Sequence, residues 1–95
     1  MRLLAGMFPS MRGIFDGGWS VEALRQWWMS GAPTGGSRHV AMFLLQVWNM
    51  HTTAAEWRRE GFKGIEPFNA VAALGTWDDA HRSAFVTWCQ EPFFP

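Results

Sequence analysis

Hydrophobic positions recur at steps of three and four along most of the chain, and this spacing is typical of α-helices. Within residues 21–30 the apolar stripe consists of Val21, Leu24, Trp27 and Trp28. Ser20 stands before the stripe as a favourable N-cap, and Gly31 follows it as a stop signal. The pattern therefore predicts a helix over residues 21–30.

Residues 38–48 carry apolar side chains nearly all round a helical projection. A helix without a polar face belongs in the middle of a domain, where every side is covered. We expect this helix to be the central one, capped by Ser37 and preceded by a loop over residues 32–36.

Two shorter segments carry local helix signals. Thr53 and Glu56 match the capping-box pattern, in which each side chain accepts a hydrogen bond from the other residue's backbone N–H. This predicts a short helix over residues 54–60. In residues 3–15 the helical spacing is interrupted by Pro9, which predicts two short turns rather than one helix.

The last two predicted helices cover residues 67–74 and 77–90. Pro67 suits the first position of a helix, because its missing N–H would have no partner there. Asp78 falls in the first turn of the last helix and can pair with Arg82 four residues later.

Together these elements predict an all-α protein. We expect a compact single-domain bundle over residues 1–95, with about five short helices around the central helix 38–48 and a C-terminal helical hairpin. Residues 1–18 form an N-terminal segment of short helical turns, and residues 91–95 form a C-terminal tail. No segment has the alternating pattern of a strand.

Composition adds a reason to expect a partner. Hydrophobic residues make up 48% of the chain, and ten glycines come in addition, against a usual combined share of about 45–50%. Some large side chains should therefore stay accessible, as at a protein interface or in a homo-oligomer. The alternative is that seven tryptophans and eight phenylalanines simply build the core from large pieces.

Charge argues against several classes of partner. The formal net charge is zero, whereas duplex-binding domains and membrane-surface proteins usually carry a basic excess. No apolar run is long enough to span a bilayer. The single Cys89 cannot form an internal disulfide, which favours a cytoplasmic protein. Seven arginines to one lysine would suit a GC-rich bacterial or phage genome.

Candidate catalytic and metal sites are weak. The potential metal ligands are His39, His51, His81 and Cys89. No two of these histidines have the spacing of a helical site and no CxxC occurs, so we expect no metal and no cofactor. Cys89 and His81 lie about 12 Å apart along one helix and cannot form a catalytic pair there. The sequence thus predicts a non-enzymatic protein, with an enzyme whose site is assembled across several helices as a third hypothesis.

His81 lies between Trp77 and Trp88 on the apolar face of the last helix. We interpret it as a buried, neutral and hydrogen-bonded structural residue. The alternative interpretation is a pH sensor.

Trp57, Arg58, Arg59 and Lys63 form the most distinctive candidate site. Interleaved aromatic and basic residues are typical of sites for single-stranded nucleic acid. Three glutamates, Glu56, Glu60 and Glu66, reduce the field of the patch. It can equally be a solvated helix face with Trp57 pointing into the core, or a protein-binding patch, since Trp and Arg are enriched at interface hot spots.

Trp28, Phe93 and Phe94 complete the candidate binding residues. Adjacent Trp27 and Trp28 point about 100° apart, so one belongs in the core and the other near the surface. The apolar tail either folds back onto the domain or inserts into a neighbouring subunit. The leading hypothesis is a protein-interaction module, such as a small adaptor, inhibitor or regulator, and the alternative is a nucleic-acid-binding protein.

Overall fold

The computed structural model describes residues 1–93, and every regular element in that range is helical. In chain order the elements are α1 (Arg2–Gly6), a 3₁₀ turn (Pro9–Met11), α2 (Val21–Met29), α3 (Gly35–Trp48), α4 (Ala54–Arg59), α5 (Ala70–Thr76) and α6 (Asp79–Gln90). They form one globule with a radius of gyration of 12.3 Å. The predicted all-α class is confirmed.

Helix α3 is the centre of the domain, as its apolar pattern predicted. Both α5 and the 3₁₀ turn pack against it, and Val40, Ala41 and Leu44 are completely buried. Its coverage is incomplete, because Gln46 and Trp48 remain exposed near its C-terminal end. None of the helices in residues 1–93 has the length and apolarity needed to cross a membrane.

The predicted ends of α2 and α4 are correct. The Ser20 hydroxyl accepts a hydrogen bond from the Ala23 N–H at 3.1 Å. After α2 the chain turns at Gly31, whose φ of 82° is readily adopted only by glycine. At α4 the capping box forms, with the Glu56 N–H donating to the Thr53 hydroxyl at 3.2 Å.

The predicted start of α3 is wrong. The helix begins at Gly35 with Thr34 as its N-cap, and Ser37 lies inside its first turn. The Ser37 hydroxyl accepts a hydrogen bond from the Thr34 N–H at 2.7 Å. This reciprocal contact satisfies a free backbone donor at the helix start and brings the two glycines into the helix despite their low intrinsic propensity.

The predicted start of α5 is also wrong. The helix begins at Ala70 and not at Pro67, because Asn69 is the N-cap and its side chain accepts a hydrogen bond from the Ala72 N–H at 3.0 Å. Phe68 consequently stays in extended chain before the helix. Its ring lies 5.3 Å from that of Phe43, so the segment contributes to the core without being helical.

Helix α6 begins at Asp79, with Asp78 as its N-cap rather than a first-turn residue. The predicted ion pair between Asp78 and Arg82 does not form, since the Asp78 carboxylate accepts the His81 N–H at 2.9 Å. Arg82 instead lies 3.6 Å from the Asp79 carboxylate.

Candidate functional site

Half of the aromatic rings are fully enclosed. Seven of the fourteen Trp and Phe residues in the described range are buried, and the other seven are partly or largely accessible. Trp48 and Phe93 are the most accessible, at 41% and 42%. The expectation that some large apolar side chains stay accessible is confirmed.

An apolar groove runs along α3 towards its C-terminal end. It consists of two adjoining depressions of about 280 and 290 Å³ that share Gln46, Met50 and Phe68. The first depression reaches α4 at Trp57, and the second reaches α6 at Trp88. The floor is therefore α3, and α4 and α6 form opposite walls.

The side chains along this groove are soft and mostly uncharged. Met50, which follows α3, is 63% exposed, and Met42, within α3, is partly accessible. Methionine is flexible and polarisable, so such a surface adapts to apolar partners of different shapes. Glu66 is the single charged residue among the described residues that line the two depressions.

Residue 93, in the described part of the C-terminal tail, contacts Trp88 at one end of the groove. The Trp88 indole N–H donates a hydrogen bond to the Phe93 carbonyl at 3.0 Å. The chain therefore turns back after α6, while the Phe93 side chain remains accessible. Phe94 lies outside the described residues, and its predicted binding role stays a prediction.

The predicted basic patch does not present its aromatic ring. Trp57 is buried, with its ring 5.6 Å from that of Phe62. Arg58 donates from its guanidinium to the Ile65 carbonyl at 2.7 Å, which holds the loop after α4. Arg59 and Lys63 are exposed. The Trp57 indole points into the core and covers the start of this loop. The patch therefore lacks the accessible ring that base stacking requires.

Trp28 is likewise a core residue rather than an accessible one. It is 5% exposed, and its indole N–H donates to the Lys63 carbonyl at 2.9 Å. The Arg38 guanidinium lies 4.7 Å from the ring centroid. The choice of Trp28 as an accessible binding residue is therefore corrected, and Trp27 is the partly exposed member of the pair.

His81 is hydrogen-bonded through both ring nitrogens, and its side chain is only 12% exposed. This agrees with the interpretation of a mostly buried, satisfied histidine. One of its partners is Ser10, which lies 71 positions away in the chain. Sequence reasoning missed this contact, since a separation of that size leaves no local pattern. The contact between Asp78 and His81 is different, because the two residues lie only three positions apart at a helix start and a local sequence pattern can indicate it.

The perturbed carboxyl groups belong to helix caps. The pKa of Asp78 is lowered chiefly by a hydrogen bond from the His81 backbone, and then by one from the His81 ring. The pKa of Glu56 is lowered mainly by the backbone N–H of Thr53. In residues 1–93 no cluster of three potential metal ligands occurs.

Comparisons of the chain with protein-family models, with curated proteins and with solved structures found no match.

Proposed function

We propose that this protein is a protein-interaction module whose groove along α3 binds an amphipathic helix of a partner protein. The supporting observation is a groove of two adjoining depressions, lined by side chains of α3, α4 and α6, in which apolar residues outnumber polar ones. An amphipathic helix that lays its apolar face into a hydrophobic groove is a recurring mode of recognition.

The dimensions favour a short helix as the bound element. The first depression extends from Met42, within α3, to Met50, two residues beyond the end of α3, and two turns of a bound helix span roughly 11 Å. Two such turns present apolar anchors at steps of three and four residues. The two depressions on either side of Met50 would each receive one anchor.

The charge of the groove favours one type of partner sequence. With Glu66 as the charged residue beside the first depression, a basic residue at the matching end of the partner helix would fix its direction. The other polar side chains of the lining, Gln46, Thr52 and Thr53, are uncharged and would not neutralise a charge in the middle of the helix. We therefore expect an apolar stripe with lysine or arginine at one end.

The binding test uses a defined probe, a stapled amphipathic peptide of fourteen residues with a leucine stripe and a terminal lysine. Methyl NMR of the methionines reports where it binds, because Met42 and Met50 line the groove and Met29 lies outside it. Binding in the groove shifts the methyl signals of Met42 and Met50 and leaves that of Met29 unchanged.

A matched pair of variants separates the groove from general stickiness. Met50→Glu places a charge in the groove, and Met29→Glu places the same charge on a residue that is almost equally exposed, at 65%. We expect Met50→Glu to weaken peptide binding at least tenfold and Met29→Glu to change it less than twofold. Equal effects of the two variants, or methyl shifts centred on Met29, would refute the proposal.

A further inference from the structure

Ser10, His81 and Asp78 form a chain of hydrogen bonds that joins the N-terminal segment to the start of α6. The Ser10 hydroxyl lies 2.9 Å from His81 Nε2, and His81 Nδ1 lies 2.7 Å from Asp78 Oδ1. Ser10 belongs to the 3₁₀ turn, and Asp78 is the N-cap of α6. None of the three residues lines the groove described above.

Two observations fix the tautomer of His81. An ionised carboxylate only accepts hydrogen bonds, so Nδ1 must carry the proton that lies between the ring and Asp78. On the other side, the backbone N–H of Ser10 points at Nε2 from 3.4 Å, and a backbone N–H can only donate. Nε2 is therefore the unprotonated nitrogen, and it faces the hydroxyl of Ser10.

The imidazole is also held in place by rings. Trp77 stacks against it at 6.4 Å with an interplanar angle of 26°, and the ring of Phe8 lies 6.1 Å away. Ser10 is itself only half-buried, so the residue is partly accessible to solvent. A serine is activated when a base lies within hydrogen-bond reach of its hydroxyl and a carboxylate orients that base. Ser10, His81 and Asp78 have this arrangement.

We propose that Ser10 is an activated nucleophile that reacts with small acyl donors bearing good leaving groups, such as aryl esters. The Ser10 oxygen attacks the carbonyl carbon while its proton passes to His81 Nε2. The bond to the leaving aryloxide then breaks, and the phenol departs with the proton from Nε2. Water attacks the acyl-Ser10 ester while its proton passes to His81 Nε2. The Ser10 oxygen then leaves with that proton, which releases the carboxylic acid and restores Ser10.

The first test maps the reactive serine. The intact protein is treated with a fluorophosphonate probe, which phosphonylates activated serines, and the modified peptide is identified by mass spectrometry. Serines 20, 30, 37 and 83 serve as internal controls within the same chain. We expect Ser10 to react at least tenfold faster than any of them.

The second test measures p-nitrophenyl acetate hydrolysis in a Cys89→Ala background, because the exposed thiol of Cys89 also reacts with activated esters. Ser10→Ala should abolish the protein-dependent rate, and His81→Gln should lower it roughly a hundredfold. Asp78→Asn should lower it only about tenfold, since the Asp78 side chain is 70% exposed and solvent screens its charge.

Asp78→Asn also guards against a folding artefact. Asparagine caps a helix as well as aspartate does, so this variant keeps α6 while it removes the charge beside His81. Ser83→Ala, on the exposed side of α6, should leave hydrolysis unchanged. The proposal is wrong if the probe labels the five serines equally, or if Asp78→Asn and a folded His81→Gln both react like the unaltered chain.

Discussion

The two ends of α3 differ in how they are covered. At its N-terminal end the Gly36 carbonyl accepts a hydrogen bond from the Trp77 indole at 2.8 Å, and Trp77 is 2% exposed. Near its C-terminal end Trp48 and Met50 remain exposed. One helix thus has a well-covered N-terminal end and accessible apolar side chains at and just after its C-terminal end.

The difference arises from where the rings are placed along the chain. Three rings from separate segments lie with their centroids at most 6.2 Å from that of Trp77; they belong to Phe8, Phe68 and Phe85. At the other end of α3 the ring of Trp19 lies 5.6 Å from that of Trp48, and the exposed Met50 follows the helix. Rings that converge from distant segments close a core, whereas flexible side chains leave room for a further element.

The largest expected effect that tests this contrast is a change in the free energy of unfolding. Trp77→Ala removes a buried ring from the closed end, and we expect a loss of about 3–5 kcal/mol in the free energy of unfolding. Trp48→Ala removes a ring of the same size from the accessible end and should cost about 1 kcal/mol. Urea unfolding followed by circular dichroism measures both, and similar losses would contradict the contrast.

The local starts of α2 and α4 were readable from the sequence, whereas the coverage of α3 by other elements was not. The stripe that placed α2 and the capping box that began α4 act within a few residues, so their pattern is local. The all-round apolar pattern of 38–48 correctly made α3 central. It could not show that Met42 and Gln46 lie on a side that other elements leave open, because coverage depends on distant segments.

Coverage by distant segments also explains why two candidate residues were wrongly expected to be accessible. Trp28 and Trp57 have the composition of interface residues, yet the loop over residues 61–66 covers them through contacts made by its backbone carbonyls and Phe62. The glycines at 61 and 64 predict a loop over these residues, but no local pattern shows that it folds over the two tryptophans. Ser10 and His81 meet for a similar reason, since α1 and the 3₁₀ turn return to the start of α6.

A second effect, of intermediate size, concerns the loop that forms part of the α4 wall. Gly61 has a φ of 107°, and a Cβ there would lie 2.9 Å from the Arg25 Cδ atom. We expect Gly61→Ala to lower the free energy of unfolding by about 1–3 kcal/mol, mostly through backbone strain, since the end of the Arg25 chain can move.

Gly17→Ala is the matched control, because a Cβ at Gly17 meets no atom within 4 Å and should change stability by less than about 1 kcal/mol. If Gly61→Ala also weakens binding of the amphipathic peptide, the loop supports the groove as well as the fold. A Gly61→Ala variant as stable as Gly17→Ala would show that the left-handed turn is not required.

The smallest effect concerns acid stability at the two capped helices. The pKa of Asp78 is lowered from its ordinary value of 3.8 by hydrogen bonds from the His81 backbone and ring. The pKa of Glu56 is lowered from 4.5, mainly by the Thr53 backbone. A lowered pKa in the folded state means that each ionised cap stabilises the protein above its ordinary pKa and loses this contribution as the pH falls through the lowered value.

Asp78 lies beside Trp77 at the closed end of α3, and Glu56 lies in the α4 wall of the groove, so the two caps report on the two regions separately. The urea midpoint of the unaltered chain should fall as the pH drops below about 4.5. Asp78→Asn and Glu56→Gln should each flatten part of that fall, because an amide caps the helix without titrating. An unchanged pH profile in Asp78→Asn would mean that the His81 contacts do not hold the carboxylate in its charged form, and the tautomer assigned to His81 would lose one of its two supports.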